Sequence, residues 1–185
     1  MNQIRRVWCR TRAKNWTRPN AAVILDTETT DLDGEIIEIA IIDAATGHTR
    51  LNTLVDPGTP IAPEATAVHG ITDEMVHGAP RWPQLWPRLA PLLHKGTVLA
   101  WNAPFDRGRI HHECVRHGIP TPRARWRCLM RLAARHTNTR RRALNGGHRA
   151  LDDTLQAWSE LHAIAQTTHH LQQRRTSTQL STEGI

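Results

Sequence analysis

Residues 21–43 read AAVILDTETTDLDGEIIEIAIID. The stretch contains two apolar runs, at 21–27 and 35–43, each rich in β-branched residues and too short for an ordinary helix, so both are predicted to be strands. Gly34 predicts a tight turn between them. A third run at 49–55 follows Gly47, and three strands joined by short turns imply an antiparallel meander. Further strands are expected at 97–101 and 125–128, alternating with helices near 82–94, 104–117, 129–136 and 150–166. The mixture predicts an α/β domain of three layers, a mixed five-stranded sheet flanked by helices.

The same stretch carries two acids, Asp26 and Glu28. Residues two apart in a strand point to one face, so the pair projects side by side near the strand's C-terminal end, where clefts in such sheets open. Two other segments add Asp106 in NAPFDRG and His148 with Asp153 in GGHRALDD. Four carboxylates and a histidine are what in-line hydrolysis of a phosphodiester asks for. Charge builds on the entering and leaving oxygens, and two divalent ions about 3.5–4 Å apart stabilise both. Mg²⁺ or Mn²⁺ takes carboxylate oxygens, and a histidine titrating near neutrality accepts the proton of the attacking water.

Residues 150–165 place Leu151, Leu155, Trp158, Leu161 and Ala165 at helical spacing. On that wheel Asp152 shares a face with Gln156 and Ser159, whereas Asp153 lies toward Ala157 and Ile164. Asp153 is therefore the expected inward ligand. An unbroken helix would stack His148 over Asp152. The Gly146-Gly147 pair instead predicts a turn that leaves His148 on a loop just before the helix.

These residues and their surroundings resemble the DEDDh 3′-to-5′ exonucleases, the family of the epsilon subunit of bacterial DNA polymerase III and of ribonuclease T. The resemblance rests on DTETT followed by GEIIEIAIID, then IAPEATAVHGITDEM, VLAWNAPFDRGRI and GGHRALDDT, four blocks in the family's order between about positions 22 and 165. It implies a ribonuclease H-like fold, two Mg²⁺ or Mn²⁺ ions held by Asp26, Glu28, Asp106 and Asp153, and His148 as general base. It also implies that Thr29 and Leu32 cradle the terminal nucleotide, that Phe105 stacks on or wedges against a base, that Asn102 supports the Asp106 loop, and that His69 lies near the substrate. The expected activity is removal of nucleoside 5′-monophosphates from the 3′ end of single-stranded nucleic acid, with DNA ahead of RNA. RNA 3′-end trimming and a polymerase-associated binding module with weakened catalysis are the alternatives, and a polymerase or a second copy of the chain is a possible partner.

Two positions depart from the family's pattern. Asp31 stands where the family usually has Gly, an extra carboxylate beside the expected ions. Trp101 replaces a His or smaller residue and offers another stacking face.

Composition agrees with one domain bound to a polyanion. The 185 residues carry a formal net charge of +7, and the pI is about 10.8. Between positions 107 and 149 there are twelve Arg and a single acid, Glu113, so this stretch is expected to hold the backbone of a single strand. Seven Trp are present and no Tyr; Trp82, Trp86 and Trp158 fall on helical stripes and are expected in the core. Three Cys without CxxC spacing fit free thiols in a reducing compartment, and no run approaches the roughly 18 apolar residues of a membrane span. Residues 1–16 lack the apolar region of a secretory signal, so a cytoplasmic location is expected. The predicted organisation is a basic N-terminal extension, 1–18, with a possible helix; an exonuclease domain, 19–166; and a disordered polar tail, 167–185.

Overall fold

The computed structural model describes residues 2–94, 96–144 and 147–167. The predicted tail beyond position 167 and Gly146 of the glycine pair lie outside the described residues. Five strands form one sheet: β1 (Ala22–Thr29), β2 (Ile36–Asp43), β3 (Thr49–Leu54), β4 (Thr97–Ala100) and β5 (Arg125–Cys128), in the order β3-β2-β1-β4-β5. β1, β2 and β3 pair antiparallel, as the short turns require. β4 and β5 run parallel to β1, so the C-terminal ends of β1, β4 and β5 lie at one end of the sheet.

The helices are α1 (Asn2–Trp16), α2 (Pro63–His69), α3 (Asp73–Val76), α4 (Trp82–Leu93), α5 (Ala103–Arg116), α6 (Leu129–Thr137) and α7 (Ala150–Gln166). Every residue of β2 is buried because both faces of the sheet are covered. On one face Ile24, Ile42 and Leu99 pack against α1, α6 and α7 through Cys9, Ala13, Leu132, Ala157 and Leu161. On the other, Leu25, Ile39, Ile41 and Val98 pack against α4 and α5 through Leu85, Leu89, Ile110 and Cys114. The alternation along β1 thus assigns even positions to the α7 side and odd positions to the α5 side.

The structure corrects three details of the sequence reading. α2 and α3 were not anticipated, although Pro63 at the start of α2 and left-handed Gly70 (φ 71°) at its end are the usual punctuation of a short helix. The buried stripe of α7 is Ala150, Thr154, Ala157, Leu161, Ile164 and Ala165, while Leu155 is exposed. Small residues on that stripe let α7 approach the sheet closely. Trp101 is buried, and its indole donates to the Arg142 carbonyl at 2.9 Å, so it packs in the core and is not a free stacking face. Trp82 is fully buried, and Trp86 and Trp158 are half-buried against the two main cores.

Candidate active site

Asp26 and Glu28 project from the end of β1 toward α7, as even positions must. Asp153, in the first turn of α7, meets them there, and one carboxylate oxygen from each of the three lies within 4.8 Å of the others. Asp152 is exposed. His148 precedes the helix by two residues in a left-handed conformation (φ 51°), exposed beside the cluster. A non-glycine residue there carries backbone strain, and His is among the side chains that tolerate it best.

Asp106 reaches the same strand from the other face. It is buried in the first turn of α5 and accepts a hydrogen bond from Thr27 Oγ1 at 3.1 Å, an odd position of β1. It stands outside the group of three, yet its charge helps to raise Asp26.

The electrostatics are those of crowded, unneutralised acids. Burial first, then Asp106, Glu28, Asp153 and Glu38 hold the Asp26 carboxyl well above the carboxylate range. Burial and then Asp153 push Glu28 up to about 8. Burial lifts Asp106 to about 7 against the Thr27 hydrogen bond, and burial also raises Asp153, opposed by His148. Asp153 Oδ1 is buried without a hydrogen-bond partner. An orphan oxygen among hard oxygen donors of like charge is a donor set suited to a divalent cation.

Two residues not anticipated in the sequence hold this arrangement. Glu38 lies opposite Glu28 in the β1–β2 register, where like charges repel. Arg149 resolves the conflict: its Nε lies 3.2 and 3.1 Å from the two Glu38 oxygens and Nη2 2.6 Å from Oε1. The Ala150 amide donates to Glu38 Oε2 at 2.9 Å, so the same carboxylate caps the start of α7. The facing of the two glutamates follows from the β1–β2 register, which no local pattern in the sequence states.

The remaining expected residues stand at the end of β1 and the turn after it, at the end of α2 and at the start of α5. Thr29 is buried and Leu32 is 83% exposed on the turn after β1. His69 is buried with both ring nitrogens on backbone: Nδ1 accepts from the Ile71 amide at 3.0 Å and Nε2 lies 3.3 Å from the Thr29 carbonyl. Phe105 is half-buried beside Asp106 with the Arg109 guanidinium 5.9 Å from its ring, and Asn102 is exposed at the start of α5 without a side-chain cap. Asp31 is exposed, and its Oδ1 accepts the Asp33 amide at 2.7 Å. That bond closes the turn locally, and Gly34 is required there because a Cβ would fall 1.9 Å from Thr30 Oγ1.

Residues 23–161 match the RNase_T family, described as exonuclease. The chain belongs to this exonuclease family. Uncharacterized exonuclease CP81 of Escherichia phage 186 is 44% identical over 110 residues, 58% of this chain and 56% of that protein. Exodeoxyribonuclease 10 of Escherichia coli K12 is 37% identical over 116 residues, 60% of this chain and 46% of its own. The chain spans roughly half or less of the length of the curated relatives it matches. A structure of exonuclease X in complex with 5′ overhanging duplex DNA superposes with a TM-score of 0.59 at 31% identity, covering 77% of this chain and 90% of that one. The nuclease domain of 3′hExo, a DEDDh family member, superposes at 0.58 with 17% identity, covering 79% of this chain and 92% of that one, and shares the ribonuclease H-like fold. Membership of the exonuclease family and the layered architecture therefore stand as the sequence implied. Among the described residues no helix is long and apolar enough to cross a membrane.

Proposed function

We propose that this exonuclease-family chain hydrolyses single-stranded nucleic acid from the 3′ end, releasing nucleoside 5′-monophosphates, with DNA as the preferred substrate. The observation that carries the reading is the convergence of Asp26, Glu28 and Asp153 oxygens within 4.8 Å beside His148. The relatives named exodeoxyribonuclease and DNA polymerase III subunit epsilon favour DNA over RNA.

Asp26, Glu28 and Asp153 would hold one divalent ion, and Asp26 with Asp106 a second. When bound, such ions neutralise the charge that grows on the phosphoryl oxygens. His148 accepts the proton of the attacking water on an imidazole nitrogen. The water oxygen bonds to phosphorus as the bond to the 3′-oxygen of the preceding nucleotide breaks, and that oxygen takes up a proton. Thr29 and Leu32 position the terminal nucleotide, and Phe105 and Asn102 flank it. His69 acts through the Thr29 carbonyl it contacts.

Incubation with 3′-blocked and unblocked DNA and RNA strands in Mg²⁺ or Mn²⁺ tests this reading. Stepwise shortening of the unblocked DNA alone is expected. Equal degradation of blocked and unblocked strands, or none with either metal, overturns it. Faster RNA shortening reassigns the substrate.

A further inference from the structure

The matched family segment begins at residue 23, so α1 precedes it. α1 packs against α6 and α7, and its outer surface is arginine-rich. Residues 1–25 contain six basic residues and no acid, and residues 114–151 contain ten Arg and no acid. The fold brings these two acid-free segments together. Left-handed Asn138 (φ 60°) ends α6, and Arg140 and Arg141 beyond it line one open groove together with Arg135 and Arg5.

Among the described residues none of these four arginines has a carboxylate partner within salt-bridge distance. The guanidiniums are also oriented. Arg135 lies 4.5 Å and Arg12 5.0 Å from the Trp8 ring, so the indole holds cations in place and presents charge. Burial and then the positive field of Arg6 keep nearby His136 below the usual imidazole range. Like charges gathered without acids are relieved by an anion, and guanidinium groups suit phosphates.

The groove lies toward the far end of α7 from the acidic cluster. His136 Nε2, beside Arg135, is 3.4 Å from Thr167 Oγ1, whereas Asp153 is in the first turn of that helix, about 21 Å away along its axis. A strand held at both places therefore runs the length of α7. The Trp101 indole donates to the Arg142 carbonyl at 2.9 Å and so anchors the segment that follows Arg140 and Arg141. We propose that α1, the end of α6 and segment 138–141 form a second nucleic-acid contact, which takes the phosphodiester backbone of the strand whose 3′ end lies at Asp26, Glu28 and Asp153. The placement of the 3′ end rests on the exonuclease reading; the groove's affinity for the backbone does not.

The test is anisotropy titration of the full chain with a long labelled single strand in EDTA, where the acidic cluster contributes no metal-mediated binding. Arg140→Ala/Arg141→Ala is expected to lower affinity about tenfold and to flatten the log-affinity against log-salt slope by about 1.4, two contacts at about 0.7 each. The charge-matched Arg50→Ala/Arg88→Ala variant, on β3 and α4, is expected to keep wild-type affinity within about twofold. Equal losses in the two variants, or no loss in the groove variant, overturn the proposal. Nucleotide release by the wild-type chain in Mg²⁺ or Mn²⁺ is scored separately. A chain that binds through the groove and releases nothing overturns the exonuclease reading alone; one that releases nucleotides and binds independently of Arg140 and Arg141 overturns the groove alone.

Discussion

Asp106 and Asp153 reach the end of β1 from opposite faces of the sheet, and their surroundings differ. Asp106 is 2% exposed and anchored by Thr27, so the protein itself fixes its position. Asp153 is half-buried with one oxygen unpartnered, and its position depends on where α7 begins. Glu38 and Arg149 set that beginning. Asp106 is thus held by a direct hydrogen bond and Asp153 by the clamp on its helix, which leaves one Asp153 oxygen unpartnered.

The largest expected effect comes from neutralising the unpartnered carboxylate. Asp153→Asn is expected to cut nucleotide release about 10³-fold, as loss of several kcal/mol of charge stabilisation implies. Its melting temperature in EDTA should match or exceed wild type, because a repulsive charge is gone. A fall in melting temperature would show that Asp153 is anchored as Asp106 is.

Next in size is the clamp. Arg149→Ala leaves Glu38, 3% exposed, with the Ala150 amide as its remaining partner and should cost about 2 kcal/mol in urea unfolding, less than a fully buried pair because Arg149 is partly exposed. Adding Glu38→Gln removes the stranded charge and should restore part of that stability. Turnover should stay low in the double variant, since α7 remains unclamped.

Much of this was legible in the sequence. Period-two alternation fixed the shared face of Asp26 and Glu28, and helical phase singled out Asp153 over Asp152. The Glu38–Arg149 clamp was not legible, because it spans 111 positions and depends on strand register, which no local pattern states. The separation of Asp106 from the other three was hidden for a related reason. Local spacing placed it at a helix start, and only the packing of α5 shows that it meets Thr27. Leu155 misled because large apolar residues mark a core stripe on a wheel, whereas this helix buries Ala and Thr to lie close to the sheet.

The crowded carboxylates also set a pH dependence. In the metal-free folded chain Glu28 titrates at about 8 and Asp106 at about 7, and Asp26 and Asp153 are raised too. The unfolded chain releases those protons at ordinary carboxylate pH, so it binds fewer protons in between. Their contribution to stability is fully present below the unfolded values and is lost as pH rises through the folded ones. In EDTA the melting temperature should therefore fall from about pH 6 to about pH 8, the upper end set by Glu28. Mn²⁺ should raise it more at the higher pH, by about 5 °C, or ~1.5 kcal/mol for a chain of this length. A metal gain independent of pH would mean that these acids do not bind the ion.

Thr27→Val gives the smallest expected effect and separates the two aspartates most cleanly. Valine keeps the shape of the buried odd position of β1 but withdraws the donor to Asp106, which should cost about 1 kcal/mol in urea unfolding. Because the Thr27 hydroxyl lowers the Asp106 value, its removal should raise that value above about 7 and move the pH dependence of Mn²⁺ binding upward. Asp153 has no contact with Thr27, so the three-carboxylate group should keep its own affinity for Mn²⁺ above the new transition. If the variant instead abolishes Mn²⁺ binding at every pH, Asp106 and Asp153 form a single inseparable site, and the distinction between an anchored and a clamped ligand fails.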